Sequence, residues 1–179
     1  AHIVRSNCCG NPETVSGLGS TVDATTAVRR AFERWIAQYD VQSLLDIPCG
    51  DFNWMRFTEL AIPYVGADIV SELIERNSEK YASPTRVFVK LDLTSSPLPK
   101  CDLVVTRDCL DHLSFGDVSN ALCNVKRRGA KYFAVTQFTQ TISNRDQESG
   151  WVYRPIDFGM APFKWPEPLV VVDEGTEPG

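Results

Sequence analysis

The chain has 179 residues, of which 43% are hydrophobic and 23% are charged, and its formal net charge at pH 7 is −5. This length suits one domain with a single core, and the hydrophobic fraction argues against disorder. The acidic balance argues against a nucleic-acid-binding protein, because the one dense basic cluster, at 126–128, is typical of the last turn of a helix. No stretch predicts a membrane span, and no signal-peptide core is visible.

The six cysteines include no C-x-x-C pair, which argues against a zinc site. Four of them lie in or beside apolar segments, where a thiol behaves as a small hydrophobic group. We therefore expect a reduced, cytoplasmic protein that binds neither membrane nor nucleic acid.

Helix and strand signals alternate along the chain. Apolar residues at helical spacing predict helices at residues 24–39, 50–60, 72–81 and 115–128. Short apolar runs predict strands at residues 43–47, 64–69, 86–91, 102–106, 131–137 and 169–173. This alternation predicts an α/β fold with a doubly wound, mainly parallel sheet.

The whole chain, 1–179, is expected to form a single domain. Residues 1–40 supply an N-terminal loop and helix, and residues 138–168 form a long loop rich in proline, glycine and aromatic residues. On spacing alone, the glycine-containing stretch 16–20 is a linker. The alternative is a lid whose glycines let backbone N–H groups approach a carboxylate.

Acids stand where the first two predicted strands end. Asp46 ends the first strand, and Gly50 lies in the turn that follows, where a nucleotide-like cofactor binds in a doubly wound sheet. Asp68 ends the second strand 22 residues after Asp46, which is the place of a carboxylate that accepts both hydroxyls of a ribose. The alternatives are an ordinary strand-ending turn at Asp46 and a helix cap at Asp68. The turn lacks the G-x-G-x-x-G pattern, which disfavours a dinucleotide site without excluding it.

Asp92 ends the third predicted strand. Its carboxylate is placed to accept a hydrogen bond from an adenine amino group, with Leu93 supplying a backbone N–H. The alternative is an ordinary loop-end aspartate.

A cluster of four polar residues follows the fourth predicted strand: Arg107, Asp108, Asp111 and His112. A histidine with a near-neutral pKa can remove a proton from an attacking hydroxyl, and a neighbouring aspartate can orient its ring or act as the base itself. The alternative is that both aspartates cap the next helix. A minority hypothesis adds Asn144 or Asp146 to make a Mg²⁺ site.

The loop at 138–168 carries aromatic side chains along its length, namely Phe138, Trp151, Tyr153, Phe158, Phe163 and Trp165. These suit a wall beside a ring-shaped acceptor such as a sugar. A satellite hydrophobic cluster under a long loop is the equal alternative.

Several stretches together carry a family resemblance. They are Ser-Gly-x-Gly-Ser at 16–20, Asp-x-Pro-Cys-Gly-Asp-Phe-x-Trp-Met at 46–55, Arg-Asp-x-Leu-x-His-Leu-Ser at 107–114, Lys-Tyr at 131–132 and Pro-Phe-x-x-Pro-x-Pro-Leu at 162–169. With them the chain resembles class I S-adenosylmethionine-dependent methyltransferases, and within these a bacterial and viral-type subgroup.

The resemblance implies a Rossmann-like methyltransferase fold and S-adenosylmethionine as cofactor, with S-adenosylhomocysteine as product. By motif position it implies cofactor contacts at Asp46, Gly50, Asp68, Asp92 and Arg107. It also turns the 16–20 loop, with Gly19 and Ser20, into a cover for cofactor or substrate.

Two departures from the family pattern stand out. Pro48-Cys49 replaces the usual second glycine of the turn, and the final antiparallel strand of the class is missing. The second departure predicts either a truncated chain or one module of a longer polypeptide, which would be fused to other catalytic domains.

The function that the resemblance implies is O-methylation of a sugar or glycan hydroxyl, or of another small molecule, with metal dependence left open. His112 or Asp108 is the expected base, and the expected acceptor contacts are Trp54, Asp111, Trp151 and Tyr153. A non-catalytic methyltransferase-like module and an NAD(P)-dependent oxidoreductase are the alternatives.

Overall fold

Five parallel strands form one sheet in this computed structural model, which describes residues 10–150 and 152–175. The strands are β1 (Leu44–Asp46), β2 (Tyr64–Asp68), β3 (Arg86–Lys90), β4 (Leu103–Thr106) and β5 (Tyr132–Val135). Their order is β3-β2-β1-β4-β5, and every neighbouring pair is parallel. The order reverses between β1 and β4, as the prediction of a doubly wound sheet requires.

Three α-helices cover the sheet: α1 (Thr26–Gln38), α2 (Ser71–Tyr81) and α3 (Phe115–Arg128). The sequence marks both ends of α3. The Ser114 hydroxyl caps its start by accepting a hydrogen bond from the Asp117 N–H at 3.1 Å. Gly129 ends it with a left-handed φ of 71°, which glycine adopts at little cost.

The core has two layers because adjacent strand residues point to opposite faces of the sheet. Leu44 packs on one face with Phe32 of α1 and Ile74 of α2. Leu45 packs on the other face with Val118 of α3 and with Phe158 from the long loop. The helices therefore lie on both faces, which confirms the predicted α/β architecture.

The predicted helix at 50–60 is wrong. Only Met55–Phe57 forms a short 3-10 turn, and Phe52 takes a left-handed φ of 58°. Side chains at four consecutive positions, 52–55, are buried. A helix buries one face and exposes the other, so a run buried on all sides packs better in an irregular turn.

The predicted strand at 169–173 is also wrong. The segment makes no ladder, and Leu169 and Val171 are 78% and 63% exposed. Its β-branched residues favour a strand, but within the described residues no strand pairs with the outer edge of β5. Among these residues, none of the helices is long and apolar enough to cross a bilayer.

Candidate functional site

The switch point between β1 and β4 collects most of the residues that the sequence predicts for a site. Asp46 ends β1, Asp68 ends β2, and Arg107 follows directly after β4. Because the strands are parallel, their carboxyl ends meet at one edge of the sheet, where ligands of doubly wound folds bind.

Asp46 is a buried carboxyl group, 2% exposed. Its Oδ2 accepts a hydrogen bond of 2.6 Å from the Tyr64 hydroxyl. Burial raises the pKa of Asp46 to about 7, the Tyr64 hydrogen bond opposes this, and the charge of Asp68 adds to it. A cationic group bound here would favour the ionised form.

Asp68 is held by backbone donors. Its Oδ2 accepts from the Gly50 N–H at 3.1 Å, and its Oδ1 accepts from the Val70 N–H at 2.9 Å. Burial raises the pKa of Asp68, and these hydrogen bonds oppose the rise. The carboxylate therefore spans the turn after β1 and the start of α2, in a fixed orientation.

Gly50 occupies a position that admits no side chain. Its φ is 54°, and a Cβ added there would lie 2.4 Å from the Ser16 hydroxyl oxygen. The strained conformation and the close contact both require glycine. The Gly50 carbonyl accepts a 2.8 Å hydrogen bond from the buried Asn77 side chain, which fixes the turn from its other side.

Asp51 binds the N-terminal segment to this turn. Its Oδ2 accepts from the Thr14 hydroxyl and the Val15 N–H, both at 2.8 Å. The Ser16 hydroxyl donates to Asp51 Oδ1 at 3.1 Å and accepts from the Asp51 N–H at 3.0 Å. Sequence reasoning missed this role of Asp51, because its partners lie 35 to 37 residues away and no periodicity marks them.

The 16–20 loop reaches from Gly50 to the residues after β4. A Cβ added at Gly19 would lie 2.9 Å from Asp108 Oδ2 and 3.7 Å from Arg107 Nη1. The Ser20 carbonyl accepts a 3.0 Å hydrogen bond from the Asn53 side chain. The loop therefore lies over the ends of β1 and β4, where the sequence predicts a cover.

Arg107 is the cation of the site, with its side chain 9% exposed. Its Nη1 donates to Asp108 Oδ2 at 2.8 Å, and its guanidinium lies 5.7 Å from the centre of the Trp54 ring. Its Nε donates to both carboxylate oxygens of Glu174, at 3.2 and 3.1 Å, and its Nη2 also donates to Glu174. Trp54 stacks on Phe32 on its other side, so it is part of the core and the site at once.

Asp92 and Leu93 lie at the end of β3 and are engaged locally. Asp92 Oδ1 accepts from the N–H and the hydroxyl of Thr94 at 2.8 and 2.7 Å, and Oδ2 accepts from the Ser95 hydroxyl at 2.9 Å. The Leu93 side chain is buried in the core. Their contacts with an adenine stay predictions.

Asp108 and Asp111 differ in their surroundings. Asp108 Oδ1 accepts from the Thr136 hydroxyl at 3.0 Å, while Oδ2 pairs with Arg107. Asp111 is buried, its Oδ1 has no hydrogen-bond partner within residues 10–150 and 152–175, and burial raises its pKa. His112 Nε2 lies 3.9 Å from Asp111 Oδ2, an ion-pair distance rather than a hydrogen bond, and the His112 side chain is 35% exposed.

The long loop packs against the turn that carries His112. The Tyr153 ring centre lies 6.3 Å from that of His112 and 5.7 Å from that of Phe138. Arg154 donates from Nη1 to the Asp111 carbonyl oxygen at 3.0 Å and from Nε to the Arg145 carbonyl oxygen at 2.6 Å. Trp151 lies outside the described residues.

The remaining aromatic residues of the loop are core. Phe158 stacks on Trp165 at 4.2 Å and contacts Phe163 at 5.1 Å, and all three belong to the layer under α3. The hydrophobic-cluster alternative therefore applies to these three residues, whereas Phe138 and Tyr153 adjoin the site and their role as a wall beside an acceptor stays a prediction.

Among the described residues, no group of three histidine, cysteine, aspartate or glutamate side chains is arranged to hold a metal ion. Asn144 Oδ1, the atom that would bind a cation, accepts from the Asp157 N–H at 2.9 Å, and Asp146 Oδ1 accepts from the Phe115 N–H at 2.8 Å. These bonds occupy both residues that the Mg²⁺ hypothesis adds to the cluster after β4.

No protein-family model matches the sequence, and no curated protein matches it significantly. Solved structures do resemble its fold. The methyltransferase domain of bacterial CtHen1 is 10% identical with a TM-score of 0.56, over 70% of this chain and 75% of that one. Magnesium protoporphyrin IX methyltransferase of Synechocystis PCC 6803, solved with S-adenosylhomocysteine, is 15% identical with a TM-score of 0.52, over 67% and 60%. The PH0226 protein of Pyrococcus horikoshii OT3 is 18% identical with a TM-score of 0.50, over 65% and 61%.

These comparisons establish the fold. The chain has a Rossmann-like sheet of the kind found in S-adenosylmethionine-dependent methyltransferases, as the sequence predicts. It spans about three fifths of the length of two of these structures.

Proposed function

We propose that the protein is an S-adenosylmethionine-dependent methyltransferase. The observation that carries the proposal is the convergence of Asp46 and Asp68 on the glycine turn after β1, at the switch point of a methyltransferase-type sheet. A ligand with a cationic end and a ribose diol is complementary to two buried carboxyl groups placed side by side.

The electrostatics of the site also suit a cation. The pKa of the Cys109 thiol is raised to about 12 by burial and by the negative charge of nearby carboxylates. Those carboxylates are Asp111, Asp68, Asp108 and Asp92. These carboxylates thus give this edge of the sheet a negative potential, which attracts a positively charged ligand.

The residues of the chain fit the cofactor in named roles. Asp46 accepts from its ammonium group, Asp68 accepts from its ribose hydroxyls, and the 16–20 loop covers it. When bound, S-adenosylmethionine supplies an electrophilic methyl group on a sulfonium. The protein contributes position, since reacting atoms held in line need no further ordering.

His112 is the better candidate for the base. Asp108 is held in hydrogen bonds to Arg107 and Thr136, whereas the His112 ring is partly exposed. The negative charge of Asp111, 3.9 Å away, stabilises the imidazolium that forms when His112 removes a proton from the acceptor hydroxyl.

The acceptor of the proposed reaction is a sugar or glycan hydroxyl. One feature supports it: the Tyr153 ring beside His112, together with the neighbouring Phe138 ring, offers an apolar face to a pyranose. Fusion to other catalytic domains in a longer polypeptide remains part of the proposal.

Isothermal titration with S-adenosylhomocysteine and, in parallel, with NADH tests the cofactor. We expect binding of S-adenosylhomocysteine alone. No binding at millimolar concentration would overturn the proposal, and binding of NADH alone would favour the oxidoreductase. A methyl-transfer assay with candidate sugars then separates an enzyme from a non-catalytic module.

A further inference from the structure

The guanidinium of Arg107 is occupied by a carboxylate from a distant part of the chain. Glu174 follows it by 67 residues and accepts from its Nε and Nη2. Asp108, the next residue in the chain, takes Nη1. The two acids thus engage separate nitrogens of the fork, and Glu174 takes the paired donors that bind a carboxylate in a planar arrangement.

The place of this ion pair is the ligand-binding edge of the sheet. Arg107 directly follows β4, so it lies at the switch point beside Asp46, whose charge acts on it. The Gly19 backbone of the cover loop approaches the same guanidinium. A carboxylate bound to Arg107 is therefore inside the proposed cofactor site, under its cover.

The segment that brings Glu174 here is held weakly on either side of it. Leu169 and Val171 are largely exposed, and the segment joins no strand. The neighbouring acid, Asp173, is exposed, and among the described residues its Oδ1 accepts only the local N–H of Gly175 at 2.9 Å. Glu174 can leave Arg107 without the loss of a packed interface, because few apolar side chains are buried beside it.

We propose that Arg107 is a carboxylate-binding site with two alternative occupants, the α-carboxylate of the cofactor and the side chain of Glu174. The C-terminal segment is then a built-in competitor that fills the site until the cofactor displaces it. This inference rests on the proposed function, since it assigns one group of the cofactor to one residue.

Competition of this kind has a defined size. If Glu174 occupies Arg107 nine tenths of the time, the affinity for a carboxylate ligand is reduced about tenfold, and removal of the competitor restores it. A ligand that lacks the carboxylate does not meet Glu174 and is unaffected.

Two ligands, three single variants and one double variant test this. S-adenosylhomocysteine carries the carboxylate, and 5′-methylthioadenosine keeps the adenine and ribose without the amino-acid part. Both are titrated calorimetrically into the wild type, Glu174→Gln, the matched control Asp173→Asn and Arg107→Met. Asp173→Asn removes the same charge one residue away, from a carboxylate that does not reach Arg107.

We expect Glu174→Gln to bind S-adenosylhomocysteine about tenfold more tightly, with its affinity for 5′-methylthioadenosine unchanged. Asp173→Asn should match the wild type for both ligands. Arg107→Met should weaken the binding of S-adenosylhomocysteine alone, and adding Glu174→Gln to this variant should cause no further change in affinity. Retained binding of 5′-methylthioadenosine shows that each variant is folded.

Unchanged or weaker binding of S-adenosylhomocysteine by Glu174→Gln would overturn the inference and leave the proposed function standing. An equal shift for both ligands would also overturn it, because a general structural role moves both. If neither ligand binds any form of the protein, the proposed function fails and the inference falls with it.

Discussion

The two sides of the switch point are built differently. On the side of β1 and β2, Asp46 and Asp68 are buried and are held by groups within the same part of the chain, between Gly50 and Val70. On the side of β4, the contacts come from distant parts of the chain. Arg107 binds Glu174 and lies near Gly19, and Asp108 binds Thr136. His112 lies beside Tyr153 and is partly exposed. The first side is a preformed cradle, whereas the second is assembled by loops. We infer that the half at β1 and β2 is common to the fold, and that the half after β4, which holds Arg107 of the proposed cofactor site as well as His112, carries specificity.

The largest expected effect separates chemistry from binding. His112→Ala should lower turnover with an accepted sugar about 100-fold or more, since a positioned base contributes on that scale. Its affinity for S-adenosylhomocysteine should not change, because His112 lies on the acceptor side. Asp108→Asn, assayed in parallel, asks whether the other candidate is the base; unaltered turnover in His112→Ala would remove His112 from that role.

Gly50→Ala perturbs the preformed side of the site, at the turn after β1. The left-handed φ costs a residue with a Cβ about 1–2 kcal/mol, and the new Cβ lies 2.4 Å from the Ser16 oxygen. The strain lowers the free energy of unfolding, whereas displacement of the turn from Ser16 should lower the affinity for S-adenosylhomocysteine about 50-fold, which is about 2.3 kcal/mol of binding free energy.

Gly129→Ala is the matched control for that change. Gly129 has a similar φ of 71°, but a Cβ there meets nothing within 4 Å. It should lose a comparable amount of stability in a urea titration with no loss of affinity. If both variants lose affinity equally, strain alone explains the result and the contact with Ser16 is irrelevant.

Asp68→Asn tests the ribose contact. Hydrogen bonds to a charged group contribute about 1.5–3 kcal/mol, so the affinity for S-adenosylhomocysteine should fall about 20-fold. The 5′-methylthioadenosine affinity should fall equally, since that ligand keeps the ribose diol. A loss of affinity confined to S-adenosylhomocysteine would show that Asp68 contacts the amino-acid end of the ligand rather than its ribose.

The smallest effect is a pH dependence. The pKa of Asp46 is raised to about 7, and a bound ammonium group favours the ionised form. The affinity for S-adenosylhomocysteine should therefore rise about tenfold between pH 6 and pH 8, with proton release on binding. Calorimetry in buffers of different ionisation enthalpy measures that proton, and Asp46→Asn should abolish it.

The same group affects the stability of the free protein with the opposite sign. Because folding raises the pKa of Asp46 above its unfolded value, its contribution is most favourable at low pH and is lost as the pH rises through about 7. Asp46→Asn should flatten that decline in the free energy of unfolding. A decline of equal slope in both proteins would assign it to another group.

Local patterns predicted much of the preformed side. The sequence signals for the parallel strands and for the acids at their ends lie within a few residues. The same is true of α3, which Ser114 caps and Gly129 ends. The segment after Gly50 was wrongly predicted to be a helix, because Phe52 and Asn53 are both buried by partners outside the segment and the apolar spacing does not show this. The 169–173 segment has the composition of a strand, but composition does not show whether the segment lies beside a strand with which it can pair, and this one does not pair.

What the sequence did not show is the long-range pairing. Asp51 with Ser16 and Arg107 with Glu174 join residues 35 and 67 positions apart, and each involves polar residues common in any loop. Only the folded topology brings such residues together. One pair lies at the turn after β1 and the other after β4, so sequence reasoning is weakest where loops complete the site.

The clasp at Asp51 gives the cover loop a spectroscopic signature. The N–H groups of Val15 and Asp51 are each committed to one side-chain oxygen across the loop, Asp51 Oδ2 and Ser16 Oγ. Both hydrogen bonds must break whenever the cover lifts, so the two amides should have the same protection factor against exchange with deuterium. That shared protection factor would report how often the cover opens, and measuring it requires no knowledge of the acceptor.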